Sequence, residues 1–171
     1  MVNQTVRYPV VLFDWGDTVM LDDPALSAPM VEWLSVTAVP GIEQVLAYLQ
    51  ASGRQIILAT SADVSDEEQI RGALRRVRLA DYFTRIYCSR NTQLPKGEAF
   101  YRHILHDLGI ATSEALMVGD HFDKDVLAAN AAGIFALWFH PESAGQPGSQ
   151  LYRTIHSMPA LHAFFRSLDE T

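Results

Sequence analysis

Five side chains are of types that suit the handling of a phosphoryl group, and three of them stand where short apolar runs end. Asp14 follows Val10-Val11-Leu12-Phe13, and Thr60 follows Ile56-Ile57-Leu58-Ala59. Lys96 precedes a helical pattern, and Asp120 follows Leu116-Met117-Val118-Gly119, with Asp125 five residues further on. A carboxylate such as Asp14 can attack phosphorus and form an aspartyl-phosphate if the approaching anion is neutralised. Asp120 and Asp125 can hold Mg²⁺ through hard oxygen ligands. Lys96 adds a fixed positive charge, and the Thr60 hydroxyl, with Ser61 as its competitor, can donate to a phosphoryl oxygen. Any one of these residues alone is as well explained as a turn former or helix cap, and Asp125 in particular is equally a cap of the helix that follows it. Their ordered recurrence at strand ends is what points to chemistry, because open α/β sheets bind ligands beyond the carboxyl ends of their strands.

The elements that must position them can be read from periodicity. Near-continuous apolar runs at Val10 to Trp15, Gln55 to Thr60, Arg85 to Cys88, Ala115 to Gly119 and Ile134 to Phe139 predict five buried parallel strands. Helical patterns at Ile42 to Ala51, Glu67 to Val77, Glu98 to Leu108 and Lys124 to Ala132 alternate with them, and a last amphipathic helix is predicted from Pro159 to Leu168. This alternation predicts an α/β fold in three layers, Rossmann-like, around a central and mainly parallel five-stranded sheet. Pro141 to Ser149 reads as a surface loop.

A chain of 171 residues, 49% apolar and 19% charged, is expected to form one domain over 1–171. Its net charge of −7 argues against nucleic acid as a partner, because phosphate-backbone binding needs a basic face. Arg71, Arg75 and Arg78 form a helical stripe, but Asp66, Glu67 and Glu68 offset it, so it reads as a solvated face. No run approaches the roughly 18 apolar residues of a membrane span, and Met1 to Arg7 precede no secretory apolar region. With Cys88 as the only cysteine, a cytoplasmic location without membrane partners is expected.

The same residues make the chain resemble the haloacid dehalogenase superfamily. Its ordered signature of a nucleophilic Asp, a strand-end Thr or Ser, a Lys and a late acidic motif is similar to Asp14-Trp15-Gly16-Asp17-Thr18, Thr60, Lys96 and Gly119-Asp120-His121-Phe122-Asp123-Lys124-Asp125 here. The resemblance covers about residues 8–140 and implies a phosphatase or phosphotransferase. It also implies Mg²⁺ ligated by Asp14, the Gly16 backbone carbonyl, Asp120 and Asp125, with phosphate contacts from Thr60, Ser61 and Lys96.

Two departures follow. Family phosphatases carry a second Asp two residues after the nucleophile as general acid, and Gly16 stands there instead. Loss of such an acid costs about 10² to 10⁴ in rate, chiefly on poor leaving groups, so acyl, anhydride and aryl phosphates are the expected substrates. Asp17 and His121 are the candidate replacements. The second departure is the cap: Val19 to Val39 is long enough only for a short lid. An open site of that kind implies bulky phosphorylated substrates or a second subunit covering it. Met30, Trp33 and Leu34, expected on the surface, serve that contact or else pack the lid. Trp15 is expected in the core, and His103 and His106 at the surface.

Two other readings compete. A carbon–halogen hydrolase shares the aspartate nucleophile but needs no metal and does need a cap. A degenerate, non-catalytic member would bind a phosphorylated ligand or partner, with Gly16 marking lost turnover.

Overall fold

The computed structural model describes residues 6–142 and 150–170. The first strand, β1 (Val10–Phe13), is apolar and buried at every position, as a strand covered on both faces must be. It pairs in parallel with β2 (Gln55–Ala59) on one side and β4 (Ala115–Gly119) on the other. With β3 (Arg85–Tyr87), β5 (Phe135–Phe139) and β6 (Tyr152–Ile155), these make a six-stranded parallel sheet in the order β3-β2-β1-β4-β5-β6. The chain therefore builds outward from β1 to β3, then crosses back to place β4 on the far side of β1. The gap between β1 and β4 is the switch point at which such sheets bind ligands.

Side-chain alternation sorts the strand residues between two cores. Val11, Phe13, Ile56, Leu58, Leu116 and Val118 face one layer, where they meet α1 (Ile42–Ala51), α2 (Glu67–Arg76) and α6 (Met158–Asp169). Val10, Leu12, Ile57, Ala115 and Met117 face the other, against α4 (Glu98–Leu108) and α5 (Ala128–Ala131). A short helix, α3 (Ser89–Thr92), joins β3 to the Lys96 segment. The longer helices turn an apolar stripe inward, as Ile42, Val45, Leu46 and Leu49 do in α1.

Three expectations need correction. The sheet has six strands rather than five. The β6 segment Tyr152–Ile155 buries only Ile155, because an edge strand needs no continuous apolar run, so four residues with one buried side chain gave no periodic signal. Of the predicted loop at Pro141 to Ser149, 143–149 lie outside the described residues. The helix expected from Lys124 begins earlier and differently, as a π-helical turn over Phe122–Leu127 that runs into α5. Such widened turns are frequent at functional positions.

The third correction concerns the lid. Residues 19–39 form a strap whose ends are laced together by Met20 pairing with Ala38, Leu21 N–H on Thr37 C=O and Val39 N–H on Val19 C=O. Met30 is buried rather than exposed, because it inserts beneath a 3₁₀ turn (Met30–Glu32) into the core, whereas Leu34 is fully exposed. Arg76 of α2 holds the strap by donating to the carbonyls of Val31, Trp33 and Leu34 at 3.1, 2.6 and 3.0 Å. Gly72 permits that approach: a Cβ there would lie 2.9 Å from Val31 Cγ2. In the arginine stripe, Arg75 pairs with Glu68 in solvent, while Arg71 pairs with Glu67 at 3.9 Å and also donates to the carbonyls of Ala80 and Phe83.

Candidate active site

The strand register puts Phe13 opposite both Leu58 and Val118, so the residues that follow leave the sheet together at one edge. Asp14 N–H donates to Val118 C=O at 2.9 Å, carrying the ladder one residue past β1 and fixing the carboxylate over the gap. Thr60 is anchored likewise by its N–H on Tyr87 C=O at 2.9 Å. Its hydroxyl oxygen accepts the Ala62 N–H at 3.1 Å, which leaves the hydroxyl proton for a ligand.

Lys96 enters from just ahead of α4. Its Nζ donates to Asp14 Oδ1 at 2.8 Å and forms an ion pair with Asp125 Oδ1. Burial by itself would lower the pKa of this ammonium, but the Asp14 and Asp125 carboxylates outweigh it and hold the group raised and charged. The Tyr101 hydroxyl closes the rear of the site, donating to Lys124 C=O at 2.9 Å. Lys96 therefore sits behind the carboxylates, while Thr60 and Ser61 face the cleft.

Asp125 is drawn in by the π-helical turn. Its Oδ2 accepts the His121 N–H at 2.8 Å, and it packs so closely on Gly119 that a Cβ at that position would collide with its carboxylate. Asp120 receives the Thr18 hydroxyl on Oδ1 at 3.2 Å, and its carbonyl receives the Trp138 indole N–H at 2.8 Å. Asp14, Asp120 and Asp125 each offer a carboxylate oxygen, and these atoms lie within 4.8 Å of one another. Burial and the facing Asp14 carboxylate push Asp120 up to about 7. Burial pushes Asp125 up to about 6 against the opposing pull of Lys96. Three hard oxygen donors at this spacing, with Asp125 Oδ1 buried and lacking a well-directed hydrogen bond, fit a small divalent cation.

The remaining expectations divide. Gly16 lines the cleft, and the Asp22 carboxylate leans over it: a Cβ on Gly16 would lie 3.3 Å from Asp22 Oδ2. Asp17 adopts a left-handed backbone, φ 55°, and spends its carboxylate on the Asp22 N–H at 3.0 Å. His121 lines the cleft with its Nδ1 accepting the Lys124 N–H at 3.4 Å. Trp15 is buried in the core of the α1 face, and His103 and His106 are exposed. Thr18 and Trp138, which orient Asp120, went unrecognised from sequence. The only signal was a threonine inside the first motif that turns out to be fully buried.

Comparison with known proteins gives the family and the fold. The haloacid dehalogenase-like hydrolase profile matches residues 27–139, and the chain belongs to that family. Asp14 precedes the matched range. A ribulose-1,5-bisphosphate 5-phosphatase from Halopiger xanaduensis is 28% identical over 149 residues, covering 86% of this chain. The chain spans 60% of that relative's length. A protein of Listeria monocytogenes superposes with a TM-score of 0.80 at 22% identity, covering 95% of this chain and 99% of its own. A haloacid dehalogenase-type phosphatase of Thermococcus onnurineus gives 0.73 at 19% identity, covering 91% and 96%. These two likenesses establish the fold. Among the described residues no helix is long and apolar enough to cross a membrane.

Proposed function

We propose that this chain is a Mg²⁺-dependent phosphatase or phosphotransferase that works through an aspartyl-phosphate on Asp14. The observation that carries this reading is the convergence of Asp14, Thr60, Lys96, Asp120 and Asp125 around one cleft at the β1/β4 switch point. The name of the curated relative supports a phosphatase, while its named substrate is not carried over to this chain.

Asp14, Asp120 and Asp125 would hold the metal, with the Gly16 carbonyl as a further ligand. Mg²⁺ bound there would neutralise phosphoryl oxygens and so permit the approach of an anionic nucleophile. Lys96 orients Asp14 through its hydrogen bond to Oδ1. Thr60 donates its free hydroxyl proton to a phosphoryl oxygen, and Ser61 at the same edge adds a second donor. An Asp14 oxygen forms the new bond to phosphorus while the substrate's bridging oxygen departs with its bonding pair. Water then attacks the same phosphorus and releases the Asp14 carboxylate. With no side chain at Gly16 to protonate the departing oxygen, leaving groups of low basicity are favoured.

Gly16 also favours the second reading, a member that binds phosphorylated ligands without turnover. Assay of the purified protein with Mg²⁺ against acetyl phosphate, p-nitrophenyl phosphate, sugar phosphates and nucleotides separates the two. Turnover that is lost with EDTA and in Asp14→Asn supports catalysis, and the absence of turnover on every substrate supports binding alone.

A further inference from the structure

Resting on the phosphatase reading, the geometry points to a substrate class: we propose that the cleft takes phosphomonoesters or acyl phosphates whose remainder is an uncharged apolar group. The cleft has a volume of about 380 Å³ and two unlike halves. Its floor is the carboxylate cluster with Thr60. Its outer wall is apolar, with Leu26, Ala28, Met30 and Trp33 from the lid facing Ala62 and Val64 from the segment after β2. Leu26 and Val64 are 47% and 51% exposed, so they present unpaired apolar surface at the mouth of a charged site. The Trp33 indole N–H is already spent on Ala28 C=O at 2.8 Å, which leaves the ring as an apolar plate.

Charge on the lip points the same way. Asp17, Asp22 and Asp23 border the cleft, and no ion pair involves any of them among the described residues. Instead they accept backbone N–H groups of Asp22, Asp23 and Ala25. Among the described residues Lys124 is the one lysine or arginine lining the cleft. A second phosphate or carboxylate on the substrate would face these three acids at short range, which costs binding, whereas an apolar group finds the Leu26–Trp33–Val64 shelf. On this basis a bisphosphate, the class in the name of the Halopiger relative, is a poor substrate here.

The test compares phenylphosphonate with methylphosphonate by calorimetry on the Mg²⁺-supplied protein. Both carry the same phosphonate head and neither has a leaving group, so the comparison reads the shelf alone. Phenylphosphonate is expected to bind roughly tenfold or more tightly, the order that burial of one ring supplies. In Leu26→Ser/Val64→Ser the ratio should fall toward one, and because both side chains are half exposed the fold tolerates their loss. Equal binding of the two ligands, or an unchanged ratio in the variant, overturns the inference while leaving the phosphoryl site intact. Equal binding together with dimerisation that the same variant abolishes would give the shelf to a second copy of the chain and would also overturn it. Failure of both ligands to bind would remove the phosphoryl-site reading and the inference with it.

Discussion

Lys96 Nζ lies 2.8 Å from Asp14 Oδ1 and also forms an ion pair with Asp125, so one buried ammonium serves both the candidate nucleophile and a candidate metal ligand. Removing it leaves two carboxylates uncompensated in a dry site. Lys96→Met is expected to abolish turnover and to cost about 3–5 kcal/mol of stability, read from urea unfolding. Lys96→Arg should not rescue activity, because a planar fork cannot take the place of a point charge enclosed between two acids.

The raised carboxylates give a pH dependence of fixed sign. Asp120 at about 7 and Asp125 at about 6 hold protons in the folded protein that the unfolded chain, with its ordinary carboxyl values near 4, has released. These two groups should therefore lower metal-free stability as pH rises from the unfolded value near 4 through the folded values of about 6 and 7, with no further change above. Mg²⁺ must displace those protons, so its affinity should rise by about tenfold per pH unit between 6 and 7 and level off above, as calorimetry across pH would show.

Gly119→Ala tests the packing of Asp125. The added methyl would enter the space its carboxylate occupies, so Asp125 must move. Overpacking of this kind costs about 1–3 kcal/mol. The expected result is weakened Mg²⁺ binding with retained overall helicity by circular dichroism.

Gly16→Asp supplies the side chain whose absence limits the leaving group. The Asp22 carboxylate stands 3.3 Å from the new Cβ and must give way slightly. Rates on alkyl phosphates should rise, within the range of about 10² to 10⁴ that a positioned acid provides, with acyl phosphates much less affected.

Arg76→Ala should free the lid, since three carbonyls of the strap lose their donor. Faster limited proteolysis within residues 21–35, with an unchanged unfolding transition for the rest of the chain, is the expected outcome.

Much of this was legible in the residues. Strands such as Val10–Phe13 and Ala115–Gly119 announce themselves because burial on both faces demands unbroken apolar runs, and polar residues directly after them mark the ligand edge. What escaped lacked such a demand. The strand Tyr152–Ile155 lies at an edge and buries one side chain. Met30 looked like a surface residue because a short strap has no period that reveals its inward side. Thr18, in the turn after β1, and Trp138, on β5, both act on Asp120 at the end of β4, and contacts between segments distant in sequence leave no local pattern. The π-helical turn at Phe122–Leu127 follows from where Asp125 must reach, which helix periodicity does not encode.

The covalent role of Asp14 is tested most directly by acid-quenching the protein during turnover of acetyl phosphate with Mg²⁺ and measuring its intact and peptide masses. The account predicts the added mass of one phosphoryl group on the peptide that contains Asp14, absent with EDTA and absent in Asp14→Asn. Undiminished turnover in Asp14→Asn, or a phosphoryl group mapped to a different residue, would contradict it.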